Sequence, residues 1–288
     1  MNINYNNIYA VVISGLLLLT VATHSALAQE KTTARIISTD AGVTDVLIAL
    51  GMTKQIVGVD VTSQLPAESK IPRLGYHRTL STEGLLSLNP SLIIGSTHMG
   101  PPETIAALKT YPLTLMQLDI ASNEAMLAEN IKRISALADK QQEAKPLLQH
   151  IDSRMLVIKQ QQLPSNTRVA FLLHMEGRGL RLAGKGTTGN DIIALLGGEN
   201  AATHNSYRSV SAEALLSLEP EVIIIAGQKG EKSVAGLMQS NPMLRYTPAG
   251  KQKKIIAVES HLLVAGISLK AIDAVAELSS QLYPVATP

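Results

Sequence analysis

The strongest constraint on this chain is a long-range internal repeat. Arg78-Thr-Leu-Ser-Thr-Glu-Gly-Leu-Leu-Ser-Leu-Asn-Pro-Ser-Leu-Ile-Ile-Gly95 lies over Arg208-Ser-Val-Ser-Ala-Glu-Ala-Leu-Leu-Ser-Leu-Glu-Pro-Glu-Val-Ile-Ile-Ile225 at a constant offset of 130, with identity at 10 of 18 positions. A period this long is no solenoid and predicts two similar lobes. Each copy reads as a short capped helix, a proline after it, and a buried apolar strand. A weaker echo pairs residues 45–51 with 191–197, both helical patterns that end at glycine.

Apolar runs at 35–38, 56–60, 92–95 and 114–118, then at 168–173, 222–226 and 255–258, read as strands. Helical patterns at 44–50, 81–88, 103–109, 188–196, 211–218 and 268–278 fall between them. The alternation predicts an α/β fold, each lobe holding a mainly parallel sheet flanked by helices. Residues 123–163 carry no strand signal, while Leu127, Ile131, Ile134 and Leu137, then Leu147, Ile151, Met155 and Ile158, keep helical spacing. Pro146 is expected to interrupt that pattern or to open a second helix in its first turn. The expected organisation is an N-terminal lobe over residues 29–140, a connecting helix over 141–164, and a C-terminal lobe over 165–288. A long helix makes a stiff connection, leaving a ligand cleft between the lobes.

Residues 11–22 are almost wholly apolar and lead to Ala26-Leu27-Ala28, so residues 1–28 read as a signal peptide cleaved after Ala28. Its first ten residues lack Lys and Arg. Export to the periplasm is therefore the expectation. The chain has no cysteine, which excludes zinc ribbons, thiol catalysis, disulfides and a cysteine-linked lipid anchor. A net charge of +2 over 288 residues argues against a nucleic-acid surface, and 3% aromatic residues argue against base-stacking platforms. The 45% hydrophobic content excludes a disordered chain.

Specific text then points to a family. Residues 35–51 followed by Ile56-Val57-Gly58-Val59-Asp60 resemble the first β-α-β unit of the solute-binding proteins of bacterial ABC importers, in the class serving cobalamin, ferric siderophores and haem. Ile71-Pro72-Arg73-Leu74-Gly75-Tyr76-His77-Arg78, with Leu80-Ser81-Thr82-Glu83-Gly84, is similar to the haem branch, as is Ala183-Gly184-Lys185-Gly186-Thr187-Thr188-Gly189-Asn190-Asp191. The likeness spans nearly all of residues 33–285. It implies a two-lobed, non-enzymatic protein, expected to be monomeric, that carries ferric haem to an inner-membrane ABC permease dimer. Cobalamin, a ferric siderophore or a bare metal ion are the alternative cargoes, and a secreted hydrolase is the alternative class.

The residues supply chemistry for that implication. Ligands of open α/β sheets bind beyond the carboxyl ends of the strands. If residues 76–78 are extended, Tyr76 and Arg78 project to one side and His77 to the other. A phenolate is a hard oxygen donor suited to ferric haem iron. Tyrosine ordinarily ionises near pH ~10, so it needs both the iron and a guanidinium such as that of Arg78 to do so near neutrality. His174, just past the strand at 168–173, is the expected second axial ligand beside Tyr76. The following Met175-Glu176-Gly177-Arg178-Gly179 departs from the small, glycine-rich text expected there. His98, in Thr97-His98-Met99-Gly100-Pro101-Pro102, is the rival ligand. His204 and Tyr207 flank the second repeat and are candidates to reach the cleft, and Arg178, Arg181 and Lys185 are candidates to pair with propionates. His150 and His261 read as ordinary surface or packing residues.

Glu83 and Glu213 occupy the same place in the two repeat copies. In the resembling class, one outer glutamate per lobe docks onto the permease, and a two-fold pair suits a dimeric partner. Residues 179–186 approach a P-loop, but glycine follows the lysine where a magnesium-binding hydroxyl is needed. Residues 266–270 lack the second glycine of a nucleophile elbow, and no His-Glu-x-x-His or EF-hand loop is present.

Overall fold

A computed structural model of the chain describes residues 34–175, 179–227 and 234–283. The signal peptide expected at residues 1–28 and the candidate Arg178 lie outside the described residues.

The first lobe runs β1 (Ile36–Ser38), α1 (Ala41–Ala49), β2 (Ile56–Val59), α2 (Thr82–Leu86), β3 (Leu92–Ser96), α3 (Pro102–Leu108) and β4 (Thr114–Leu118). Its four strands pair in the order β2-β1-β3-β4, all parallel. The two-residue period of a strand divides the side chains between two cores. Ile36, Leu92 and Ile94 join the core that holds α1, whereas Ile37 and Ile93 join the one that holds α2 and α3. With both faces covered, continuous apolar strands are what the parallel sheet requires.

Two helices follow, α4 (Glu124–Leu137) and α5 (Gln141–Gln160). Asn123 caps α4 by accepting from the Met126 N–H at 3.0 Å. The chain breaks at Asp139, whose φ of +57° turns the backbone out of the helix. Pro146 lies inside α5 and does not open it. The helix starts five residues earlier, where the turn at Asp139 sets its direction, and it absorbs the proline in its second turn.

The second lobe comprises β5 (Arg168–Met175), β6 (Gly179–Ala183), α6 (Thr188–Leu195), β7 (Glu199–Asn200), β8 (Tyr207–Ser209), α7 (Ala212–Ser217), β9 (Val222–Gly227), α8 (Val234–Ser240), α9 (Pro248–Lys251), β10 (Ile255–Glu259) and α10 (Leu269–Leu282). The sheet order is β10-β9-β5-β6-β8, with β7 beside β5. The pairs β10–β9, β9–β5 and β5–β7 are parallel, and β5–β6 and β6–β8 are antiparallel. Here too Val169, Phe171, Val222 and Ile224 enter one core while Ala170, Leu172, Ile223 and Ile225 enter another.

The repeat reproduces backbone detail. Ser81 and Ser211 cap α2 and α7 by accepting from Gly84 N–H and Ala214 N–H at 3.3 and 3.2 Å. Asn89 and Glu219, at equivalent places before the prolines, have φ of +45° and +47°. Arg35 Nε and Arg168 Nε each donate to the carbonyl at the end of the repeated helix, Leu88 and Leu218, at 3.1 Å. A cation on the last carbonyls is favourable there.

The lobes share a core. One apolar cluster runs from α1 through α4, α5 and α10 to β5 and β9. The chain returns to the first lobe where Ile267 N–H donates to Ala121 O at 2.7 Å. Gly266 has φ of +71° and a β-carbon there would lie 2.5 Å from Ala121 O, so that crossing requires glycine.

Candidate functional site

The site begins with a segment laid along the end of β2. Val59 N–H donates to Pro72 O, Leu74 N–H to Val59 O and Val61 N–H to Gly75 O, at 2.8–3.0 Å. Arg73 braces the neighbouring loop by donating from Nη1 to the carbonyls of Ser63, Val61 and Asp60 at 2.8, 3.3 and 3.4 Å. Gly75, with φ of +93°, then lifts the chain away from the strand.

Residues 76–79 form a turn closed by Thr79 N–H on Tyr76 O at 2.8 Å. The extended geometry expected at 76–78 is therefore corrected, because the turn bond replaces strand-like alternation. The division of side chains nevertheless survives. Tyr76 is 41% exposed and Arg78 is exposed, while His77 is buried.

His77 Nδ1 lies 3.1 Å from Asp60 Oδ2. Asp60 also accepts from Ser63 N–H at 3.1 Å, Ser63 Oγ at 2.7 Å and Thr62 Oγ1. Burial works against its charge, but the bonds from His77, Thr62 and Ser63 outweigh burial and hold the carboxyl below its ordinary value. An ionised carboxylate only accepts, so His77 donates from Nδ1. Ser63 Oγ, its own proton given to Asp60, accepts from Thr44 Oγ1 at 2.7 Å, and Ser38 Oγ lies 2.7 Å from the same threonine oxygen. A buried polar chain thus links β1 and α1 to the Tyr76 turn.

His98 reaches the same place from the loop after β3. Gly100 N–H donates to His77 O and Leu80 N–H to Gly100 O, both at 2.9 Å, which draws the two loops together. The His77 ring centroid lies 4.2 Å from that of Tyr76 and 6.2 Å from that of His98, the two imidazoles being nearly parallel at 14°. Burial lowers the His98 pKa, and the charges of Arg78 and His77 lower it further. The imidazole is thereby kept neutral, the form that ligates metal.

His174 is placed within β5, opposite Leu180 of β6, and half-buried. It does not lie past the strand as expected, because the antiparallel ladder with β6 carries β5 on to Met175. Arg181 donates from Nη2 to Tyr207 O at 2.7 Å, so these two candidates are tied to one another across β6 and β8. The Tyr207 hydroxyl is buried near Thr187 and Gly189 at the start of α6, and burial raises its pKa. Tyr76, Arg78 and His98 are brought together; His174, Arg181 and Tyr207 sit in the other lobe's sheet. Among the described residues, no three His, Asp or Glu side chains converge as a bare-metal site.

The sequence profile of the periplasmic binding proteins matches residues 36–262. The chain belongs to the periplasmic binding protein family. This periplasmic binding protein is similar to the crystal structure of the periplasmic haem-binding protein HutB of Vibrio cholerae, with 32% identity and a TM-score of 0.79 over 88% of this chain and 100% of that one. A periplasmic haem-binding protein from Pseudomonas aeruginosa matches at 31% identity and a TM-score of 0.75, over 88% and 94% of the two chains. Among curated sequences, the vitamin B12-binding protein of Vibrio cholerae is 26% identical over 70% of this chain and 73% of its own length. The two-lobed architecture with its interlobe cleft is that of the family, and its relatives bind solutes for ABC transport.

In this periplasmic binding protein Glu83 and Glu213 both stand exposed in the first turns of α2 and α7. The Glu213 carboxyl is held below its usual range by its own backbone N–H and by the Ser211 hydroxyl. The Asp60–His77 pair was missed in the sequence. Its only signal was a polar residue ending an apolar strand, 17 positions before a histidine.

Proposed function

We propose that this protein captures ferric haem in the periplasm and hands it to an inner-membrane ABC permease dimer, as a monomeric carrier without catalytic activity. The observation that carries this reading is Tyr76, held out on a hydrogen-bonded turn with Arg78 and a neutral His98 beside it. Tyr76 offers a phenolate oxygen to Fe(III), and Arg78 offers its guanidinium to that oxygen. The second axial ligand comes from His98 or His174. Arg181 and Lys185 belong to the opposing lobe and are assigned to the propionates, whereas the Tyr207 hydroxyl, buried at the start of α6, is not assigned a haem contact. Export to the periplasm is assigned to the signal peptide expected at residues 1–28; separately, no described helix is long and apolar enough to cross a membrane.

Cobalamin is the second reading, favoured by the vitamin B12-binding relatives. Titration of the purified protein with hemin and with cyanocobalamin separates the two. Haem is supported by saturable hemin binding with a phenolate–Fe(III) charge-transfer band that Tyr76→Phe removes. Tight binding of cyanocobalamin with only weak, featureless hemin uptake overturns it.

A further inference from the structure

We propose that Asp60 and His77 form the positioning pair that presents Tyr76 to its ligand, an inference that rests on the haem reading above. His77 follows the candidate ligand directly, yet only 3% of its side chain is exposed and none of that of Asp60. Their bond joins the loop after β2 to the Tyr76 turn across 17 residues. Both partners are held from behind. Asp60 is fixed through Ser63 and Thr44 to Ser38 on β1, and the His77 carbonyl is fixed by Gly100 N–H.

The consequence for Tyr76 is geometric. In a turn closed by Tyr76 O and Thr79 N–H, anchoring the second residue inward leaves Tyr76 and Arg78 on the outside. The imidazole then packs at 4.2 Å against the phenol ring and limits its rotation. Val61 N–H on Gly75 O ties the opposite end of the segment, so the turn is gripped before and after Tyr76. Partners that orient a ligating side chain in this way commonly alter affinity by about 10–100-fold when removed. A site held by such a supporting layer keeps its geometry without ligand.

A buried pair that merely stabilises the lobe predicts something different, and four variants separate the two. His77→Leu removes the donor. Asp60→Asn with His77→Leu removes the donor and the buried charge together, so that a folded protein is available without an unpaired carboxylate. His77→Asn restores a donor where Nδ1 stood, and Tyr76→Phe marks loss of the ligand itself. Each is titrated with hemin and with metal-free protoporphyrin IX, which fills the same cleft without an iron to ligate. Positioning predicts that the double variant binds hemin about tenfold more weakly. Its Tyr76–Fe(III) band should be broadened or reduced at saturation, with protoporphyrin binding within about twofold of wild type and the band restored in His77→Asn. A wild-type band and hemin affinity in the folded double variant overturn the inference, as does an equal loss for both porphyrins. A wild-type protein whose hemin spectrum is unchanged by Tyr76→Phe overturns the haem-ligand reading first, and is recognised before any His77 variant is made.

Discussion

Lys270 Nζ lies 2.7 Å from Asp45 Oδ1, joining the first turn of α10 to α1 across 225 residues of sequence. Gln64 Oε1 accepts from the same ammonium at 3.2 Å. The pair sits where the returning chain meets the first lobe. Burial raises the Asp45 pKa, and the bond to Lys270, its charge and that of His261 offset only part of the rise.

Lys270→Met should therefore destabilise the protein by about 1 kcal/mol at neutral pH, since a largely buried carboxylate loses its partner. The sign with pH follows from the raised folded pKa. Ionised Asp45 is disfavoured in the folded state, and protonation on acidification removes that penalty. The deficit of the variant is expected to shrink as pH falls toward ~4. Urea unfolding of wild type and variant at pH ~7 and ~4 measures it, and an equal loss at both values rejects the account.

Asp40 and Asp60 follow adjacent strands and should respond to pH with opposite signs. Asp40 caps α1, accepting from Gly42 and Val43 N–H, yet burial raises its pKa above the usual 3.8 and the charge of Asp60 adds to the rise. Asp40→Asn keeps a good cap and removes the charge, so stability should rise at pH ~7 and the gain should fade on acidification. Asp60 is held below 3.8, so its contribution is present above that value and is lost as pH falls through its lower folded pKa. Asp60→Asn should cost about 1–3 kcal/mol at pH ~7 and converge with wild type once acid has protonated the folded-state carboxyl. Unfolding midpoints across that range decide both, and curves that shift in the same direction contradict this pairing.

What was legible in the chain was what local pattern encodes. The 130-residue offset located α2–β3 and α7–β9, and the serines at 81 and 211 do cap as their positions implied. The antiparallel pair β6–β8 was not legible, because Gly179–Ala183 and Tyr207–Ser209 are short, contain arginines and lack apolar continuity. That omission is also why β5 was ended before His174. His77 was expected to face away from Tyr76 by strand alternation, and it does so through a turn and a bond to Asp60. No local pattern specifies that bond, since it depends on residues 72–75 lying along β2.

The second ligand can be assigned by spectroscopy. His98 shares the Tyr76 lobe and is kept neutral by burial, Arg78 and His77. His174 stands on β5 of the other lobe, paired with Leu180 of β6. His174→Ala should convert a six-coordinate hemin spectrum to a five-coordinate one with the Tyr76 band retained. If His98→Ala makes that change while His174→Ala does not, both ligands come from the first lobe.

The last prediction concerns the permease. Glu83 and Glu213 are exposed at equivalent places on α2 and α7, each in the first turn, where a carboxylate is favoured by the helix dipole. That capping role is sufficient for Glu213, which bonds its own backbone N–H and Ser211. It leaves the exposure of both carboxylates, one per lobe, as a surface suited to a two-fold partner. Paired rim charges mainly govern association rate and its salt dependence. Glu83→Lys with Glu213→Lys should thus abolish haem delivery into permease-containing proteoliposomes, while hemin titration of the same protein stays at wild type. Each single reversal should slow delivery, with the difference from wild type narrowing as salt is raised. Normal transport by the double variant would show that these glutamates serve only their own helices.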